Sequence, residues 1–401
     1  MRTKTCLLSA VSLLFVATPA FAQSGEEVAL GDAGNLVITG TARLRLETVD
    51  QDNAVGDAEA VTLRGRLGGA LQFGNFEVFG EAELTTSLID NFNDTLPGNG
   101  IEPYSVVADP DNLELNRLHV SYKVDGNGVT VGRQRIILDN ARFVGNVGWR
   151  QNEQTFDAVR GQASIGPVSL DASYSNSQRT IFGVDSPNEF FDGDFVLLNA
   201  GVDTEVVDAS AFAYLIDYDV RLGMSSDTYG FRAVVSVPGA PVTVTLSAAT
   251  QEDAGGNPTP YSAEYYNVEL GGSVAGFNLK AGYEELGSDG GVAAFQTPFA
   301  TLHAFNGWAD TFLVTPANGL RDYYGSASRR FTVPGLTTFT ATVVYHEFES
   351  DFGGINYGSE IDASLGFRAG PLGIVAKFAS YDADGFGVDT DKFWLQADYS
   401  F

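Results

Sequence analysis

From Gly34 to the last residue the chain repeats one pattern. Apolar and polar residues alternate over a strand's length, a tight turn follows, a second alternating stretch runs on, and a longer polar loop closes the unit. Side chains in a strand point to opposite faces in turn, so each stretch predicts a ribbon with one apolar and one wet face. The last stretch is the clearest. Phe393, Leu395, Ala397, Tyr399 and Phe401 share one face, and Lys392, Trp394, Gln396, Asp398 and Ser400 share the other.

Short turns fall at Gly74-Asn75, Asp125–Gly128, Gly166-Pro167, Pro238–Pro241, Ala275-Gly276, Pro334-Gly335 and Gly370-Pro371, where Gly and Pro supply the dihedrals a tight reversal needs. Between the punctuation marks lie strands at 34–49, 58–73, 75–88, 112–124, 128–138, 154–165, 167–179, 194–202, 206–217, 226–237, 241–251, 261–274, 276–287, 321–332, 336–348, 356–369, 371–382 and 391–401. The stretch 194–217 is divided at Asp203-Thr204-Glu205, because one strand there would leave an odd total. The fold class is therefore all-β: a transmembrane antiparallel β-barrel of about 18 strands, with short periplasmic turns and long extracellular loops. A barrel of that width leaves a lumen its side chains do not fill.

Charge decides which face meets lipid, since a bare cation at the bilayer midplane costs about 2–4 kcal/mol. Arg43, Arg45 and Glu47 turn inward, against Ala42, Leu44 and Leu46. Arg64 and Arg66 turn inward against Leu63, Leu67 and Leu71, and Arg117, His119 and Lys123 against Leu118, Val120 and Tyr122. Glu77, Glu81 and Glu83 face inward beside the arginines. Val129–Arg135 breaks the rule, for alternation puts Arg133 and Arg135 with Val129 and Val131. Either a bulge at Gly132 switches the face, which is the favoured reading, or the two arginines lie at the outer rim.

Composition narrows the compartment. Arg2 and Lys4, the apolar run Cys6–Val16 and the small-residue site Ala20-Phe21-Ala22 form a signal peptide over 1–22, leaving 23–401 as one barrel domain. Cys6 is the single cysteine, so the exported protein has no disulfide. The net charge of −28 speaks against nucleic acid as a partner. Yet 28 Phe, 16 Tyr and 46 Gly are far too many for a disordered chain.

Against that acidic background, basic residues crowd. Eleven of the 23 Lys and Arg lie between 43 and 160: Arg43, Arg45, Arg64, Arg66, Arg117, Lys123, Arg133, Arg135, Arg142, Arg150 and Arg160. Several are i, i+2 pairs, whose guanidinium groups project from one strand face. Adjacent strands bearing them make a basic ladder suited to carboxylates. The same arginines also fit an Arg–Glu lattice that stiffens the wall, with Glu47, Glu77, Glu81 and Glu83 as partners. Phe295–Leu320 is too apolar for a free loop and reads as a lid or constriction bearing His303 and Trp308, or as a packed cap on the rim. The loop with Arg142, Trp149, Arg150, Asn152 and Glu153 is the other constriction candidate. Acidic loops at Asp382, Asp384, Asp389 and Asp391, and at Asp185, Glu189, Asp192 and Asp194, offer oxygen ligands for Ca²⁺ and lipopolysaccharide phosphates, although solvated acid loops are the commoner meaning. No other cofactor or metal is called for. No hydrolase or phosphate-loop motif occurs, and the enzyme alternative is a barrel hydrolase with a Ser–His pair from neighbouring strands.

Val131-Gly-Arg-Gln-Arg-Ile136, followed by Asp139–Asp157 ending in Arg-Gln-Asn-Glu-Gln-Thr-Phe-Asp, resembles the alginate export family of outer-membrane porins. Leu302–Leu320 and Ala213-Tyr-Leu-Ile-Asp217 carry further similarity. The resemblance implies an 18-stranded barrel in the bacterial outer membrane and an electropositive lumen passing an anionic polysaccharide. By position, the lumen basic residues are Arg43, Arg45, Arg64, Arg66, Arg117, Arg133, Arg135 and Arg160, with Lys123 added by alternation. The expected partners are membrane lipid, lipopolysaccharide, acidic saccharides or small carboxylates, and the barrel-assembly machinery acting through the strand ending at Phe401. The alternative is a general diffusion porin whose arginines are structural.

Overall fold

The computed structural model describes residues 26–30, 34–334 and 337–401. The expected signal peptide and Gly335 of the predicted Pro334-Gly335 turn lie outside them. The strands are β1 (Glu26–Ala29), β2 (Asn35–Gln51), β3 (Ala58–Phe73), β4 (Phe76–Asn91), β5 (Asn112–Val124), β6 (Asn127–Gln134), β7 (Thr155–Ile165), β8 (Val168–Arg179), β9 (Phe190–Asp203) and β10 (Val207–Tyr218). They continue with β11 (Ser226–Ser236), β12 (Val242–Asp253), β13 (Ser262–Val274), β14 (Phe277–Leu286), β15 (Leu320–Thr332), β16 (Thr338–Glu349), β17 (Asn356–Ala369), β18 (Leu372–Ala383) and β19 (Thr390–Ser400).

From β2 onward each strand pairs antiparallel with the next, and β19 returns to β2, from Thr390 against Gln51 to Ser400 against Thr41. The result is a closed barrel of 18 strands plus one extra strand, β1. Closure leaves no barrel edge unpaired, the condition lipid imposes. Each predicted strand is present, and β9 and β10 turn at the divided stretch, with Asp203 opposite Asp208. The extra strand was not foreseen. Its four residues are too few for alternation to register, and it pairs with the end of β2 that β19 does not reach, from Ala29 opposite Asn35 to Glu26 opposite Ile38. No helix among the described residues is long and apolar enough to cross a membrane.

The faces follow the charge argument. Leu44, Leu63, Leu67, Leu118, Val120 and Leu395 are exposed on the outside, while Arg43, Arg45, Glu47, Arg64, Glu81 and Glu83 are buried inside. The bulge expected at Gly132 is not found. Pairing runs in unbroken register through it on both sides. Arg133 therefore shares the face of its partner Leu118 and binds Asp157 at the loop end of β6. The rim reading holds for Arg133, and Arg135 lies past the end of the strand.

The lumen is occupied by the chain itself. Segment 135–154, after β6, and segment 287–319, after β14, both fold inward. They meet at a parallel bridge between Val144 and Phe299 and at hydrogen bonds from Gly145 N to Phe299 O (2.8 Å) and Thr301 N to Ala141 O (3.0 Å). Phe299 is fully buried, edge-on to Phe156 and Phe195 with ring centres 5.1 Å apart in each case. Burying such rings stabilises the inserted state by about 1.5–3 kcal/mol each. This interior cluster is why Phe295–Leu320 is too apolar for a loop in water.

Candidate functional site

Arg133, expected in the lumen, sits instead on the outer face at the rim; the other arginines of this wall face the lumen, and nearly all are held by carboxylates. Arg43 Nε donates to Asp398 (2.8 Å) and its Nη1 to the carbonyl of Trp149 (3.0 Å). Arg45 donates to Gln396 (2.9 Å), Asp109 (3.3 Å) and the Trp149 carbonyl, with its guanidinium 4.3 Å from the Trp149 ring centre. Arg66 grips Glu83 and lies 3.5 Å from Glu153. Arg117 binds Glu81 through two nitrogens, at 2.9 and 2.6 Å, and Arg160 binds Asp171 at 2.6 Å. Arg135 reaches Glu153 at 2.5 Å. Lys123 is largely exposed, 3.8 Å from Glu77. Arg64 differs from all of these: it is 4 % exposed, its Nε is buried without an acceptor, and no carboxylate of the described residues pairs with it. It stands directly opposite Arg43 in the β2–β3 register.

The two inserted segments supply the other sequence-predicted residues, and the structure brings these together. Arg142 binds Glu284 (2.8 Å), Thr297 (3.1 Å) and Asn306 (3.1 Å), which ties the first segment to β14 and to the second. Arg150 binds both oxygens of Glu47 (3.2 Å each) and Asp310 (2.9 Å). Burial works against the Arg150 charge, but Glu47, Asp109 and Asp310 outweigh it and raise its pKa. His303 stacks flat on Trp149, with 4.7 Å between centres and 5° between planes. Its Nδ1 meets Asp310 at 2.8 Å, and its Nε2 meets Lys377 Nζ at 2.7 Å. Since the ammonium can only donate, Nε2 accepts and Nδ1 carries the proton donated to Asp310. Burial is the chief cause that brings the His303 pKa down to about 3. Asp310 is also buried, yet His303, Lys392 and Arg150 hold it well below the usual carboxylate range.

A septum divides the lumen at 302–310. Leu302, His303, Ala309 and Asp310 line a cavity of about 650 Å³ on one side, rimmed by Phe182, Phe191, Leu313, Val314 and Phe386. Ala304, Phe305, Asn306 and Trp308 line a smaller one of about 160 Å³ on the other, with Arg232, Lys280, Tyr324 and His346.

Sequence reading left several members of this site without a role: Asp109, Glu284, Asp310, Asp322 and Glu360 among the acids, and Lys377 and Trp394 on the last strands. The chain has 51 acidic residues, so no single one stands out by type. One signal was available: the chain has only three tryptophans, and all three lie here. Among the described residues, no group of three or more His, Cys, Asp or Glu could hold a metal ion. In the acidic loops proposed for Ca²⁺, Asp389 accepts Ala383 N (2.8 Å) and Asp194 accepts the Tyr174 hydroxyl (2.5 Å). None of the three histidines bonds to a serine among the described residues; their partners are the Arg133 carbonyl, Asp310 with Lys377, and Asp322.

A closed 18-stranded barrel with loops packed into its lumen is the architecture of an outer-membrane porin, and solved structures match it. OccK9 (OpdG) of Pseudomonas aeruginosa superposes with a TM-score of 0.70 at 16% identity, covering 91% of this chain and 98% of that one. OccAB3 of Acinetobacter baumannii gives 0.68 at 14%, covering 91% and 99%. OpdK of Pseudomonas aeruginosa, solved with vanillate, gives 0.68 at 14%, covering 91% and 98%. The alginate export family model matches residues 36–185, the part of the barrel that holds most of the arginine wall. No curated protein sequence matches the chain.

Proposed function

We propose that the chain is a channel of the bacterial outer membrane that passes acidic solutes, alginate-like uronates among them, along the β2–β7 wall. The observation that carries this reading is Arg64. In a wall where the other inward arginines are neutralised, it is a buried cation on the lumen side of β3 with no carboxylate paired to it. A passing carboxylate there gains a charge-assisted hydrogen bond without displacing a resident one. One unpaired cation in this wall also keeps the contact weak enough for release, as conduction requires. The cavity of about 650 Å³ is the size of an ordinary small-ligand pocket, which favours small carboxylates and short oligomers over a long polymer. Vanillate, found with OpdK, is a carboxylate of that scale. Lipid contacts the exposed apolar belt, and the strand ending at Phe401 supplies the assembly signal.

The test is ion selectivity in planar bilayers. Anion preference should fall in Arg64→Gln and stay unchanged in the charge-balanced double variant Arg160→Gln with Asp171→Asn. Uronate oligomers and small carboxylates should block the wild type more strongly than Arg64→Gln. Cation selectivity in the wild type would overturn the reading. Unchanged selectivity in Arg64→Gln, with only stability reduced, would make the protein a general porin with structural arginines.

A further inference from the structure

The septum at 302–310 is fastened to the wall in an unusual way. All three tryptophans of the chain surround one ammonium: Lys377 Nζ lies 3.7 Å from the Trp308 ring centre, 4.2 Å from Trp149 and 5.5 Å from Trp394. The rings come from the second inserted segment, the first inserted segment and β19, and the lysine comes from β18. The open direction of the cage is closed by His303 Nε2 at 2.7 Å. His303 in turn donates to Asp310, which also takes Arg150 (2.9 Å) and Lys392 (3.5 Å). Cation–π contacts in a dry site are worth far more than at a surface, so the cage binds both segments through one charge.

The septum's backbone is held away from its resting preference. Asn306 and Asp310 have φ of 55° and 62°, the left-handed region that residues other than glycine adopt less readily. A Cβ on Gly307 would lie 2.2 Å from the Glu360 carboxylate, which accepts Ala309 N at 2.7 Å. Two such residues within one short segment are held by its surroundings, so the segment relaxes when its anchor fails.

We infer that residues 302–310 form a gate between the two lumen cavities, latched by Lys377 in its tryptophan cage and released when His303 takes a second proton. The chemistry is simple. Neutral His303 accepts from the lysine ammonium; protonated His303 has no acceptor left and sets one cation against another at 2.7 Å. The charged groups facing this latch come from every element around it: Arg150 and Arg142 from the first inserted segment, Arg45 and Glu47 from β2, Asp109 from the segment before β5, Glu284 from β14, Asp322 from β15, His346 from β16, Glu360 and Asp362 from β17, and Lys392 from β19. Of the carboxylates in this set, Glu47, Asp109, Glu284, Asp322 and Glu360 accept from septum or neighbouring donors. The sign for His303 follows from linkage. Its pKa is lowered in the latched state, to about 3 from an ordinary 6.5, so the latch is at full strength above pH 6.5 and weakens as the pH falls toward 3.

The latch rests on the channel reading only for its consequence, and one measurement tests it independently. Because every tryptophan is in the latch, acrylamide quenching of the folded barrel reports its state directly. Quenching should rise between pH 7.5 and 5 in the wild type, stay flat in His303→Gln, and be already high at pH 7.5 in Lys377→Met. Single-channel conductance should follow the same three patterns. Unchanged quenching in acid, or an acid response that persists in His303→Gln, overturns the latch. Quenching that follows the pattern with no conductance at any pH leaves the latch standing and removes the channel reading instead.

Discussion

Glu153 is the carboxylate on which the first inserted segment depends. It is fully enclosed and takes hydrogen bonds from Arg135 Nε (2.8 Å) and Nη2 (2.5 Å), from Asn116 (2.7 Å) and from Asn146 (2.7 Å), with Arg66 at 3.5 Å. Glu153→Gln keeps the shape, removes the charge, and turns an amide donor toward groups that are themselves donors. Removing one partner from a buried ion pair costs about 3–5 kcal/mol. With a urea slope of roughly 3 kcal/mol per molar, the unfolding midpoint in detergent micelles should drop by about 1 M or more. Acid provides the control. Burial alone would raise the Glu153 pKa, but Arg135, Arg66 and Arg117 hold it well below the carboxylate range. Its charge therefore stabilises the fold in full above the unfolded value of about 4.3, and that contribution fades as the pH falls below it. The gap between wild type and Glu153→Gln should accordingly narrow below about pH 4. Equal midpoints at neutral pH would refute the assignment, and so would a gap that does not change with acid.

Leu67 is 61 % exposed on the lipid face, so Leu67→Lys should reduce the folded fraction in lipid vesicles by about 2–4 kcal/mol, whereas Gln72→Lys on the opposite face should fold normally. At the seam, Gly40 exchanges two backbone hydrogen bonds with Phe401, at 3.0 and 3.1 Å, and a Cβ on Gly40 would sit 2.2 Å from the Phe401 ring. In refolding of the purified chain into detergent micelles, with no assembly machinery present, Gly40→Val should slow formation of the heat-resistant folded band on gels, and adding Phe401→Ala should restore it. Gly307→Ala should raise conductance at pH 7.5, because the added methyl both opposes φ 86° and strikes Glu360.

Strand positions, the even count and the lipid face were all legible in the sequence, because each rests on local rules: period-two alternation, turn residues, and the cost of charge in lipid. The final strand shows how far that reaches. Its alternation, combined with closure against the first barrel strand, places Lys392, Gln396 and Asp398 on the same lumen face as Arg43 and Arg45, and in the structure Arg45 meets Gln396 at 2.9 Å and Arg43 meets Asp398 at 2.8 Å. Contacts across the lumen were not legible. Nothing near Lys377 in sequence points to Trp149, and nothing near Arg150 points to Asp310, since those meetings depend on how two segments fold back inside a closed wall. The misplaced bulge has the same origin. Gly132 carries a positive φ of 119°, a local sign of irregularity, but its pairing with both neighbouring strands keeps register.

The crowding of arginine between 43 and 160 in so acidic a chain now has a structural cause as well as a proposed functional one. The basic wall holds its inserted segment by the segment's acceptors: Arg43 takes the carbonyls of Gly148, Trp149 and Arg150, Arg66 takes that of Gln151, and Arg135 takes Glu153. The opposite wall holds the second segment by its donors. Glu360 accepts Ala309 N, Asp351 accepts Ser288 N, and Glu284 and Asp322 accept the Asn306 amide. Guanidinium groups thus line the side that must satisfy buried carbonyls, and carboxylates line the side that must satisfy buried N–H groups, as burial of backbone demands. A lattice explains every paired arginine in this way and leaves Arg64 unexplained. That residue, with two like-charged neighbours and no carboxylate partner, weakens the fold it sits in unless an anion visits it, which is why selectivity in Arg64→Gln separates a channel for acids from a barrel that is merely well braced.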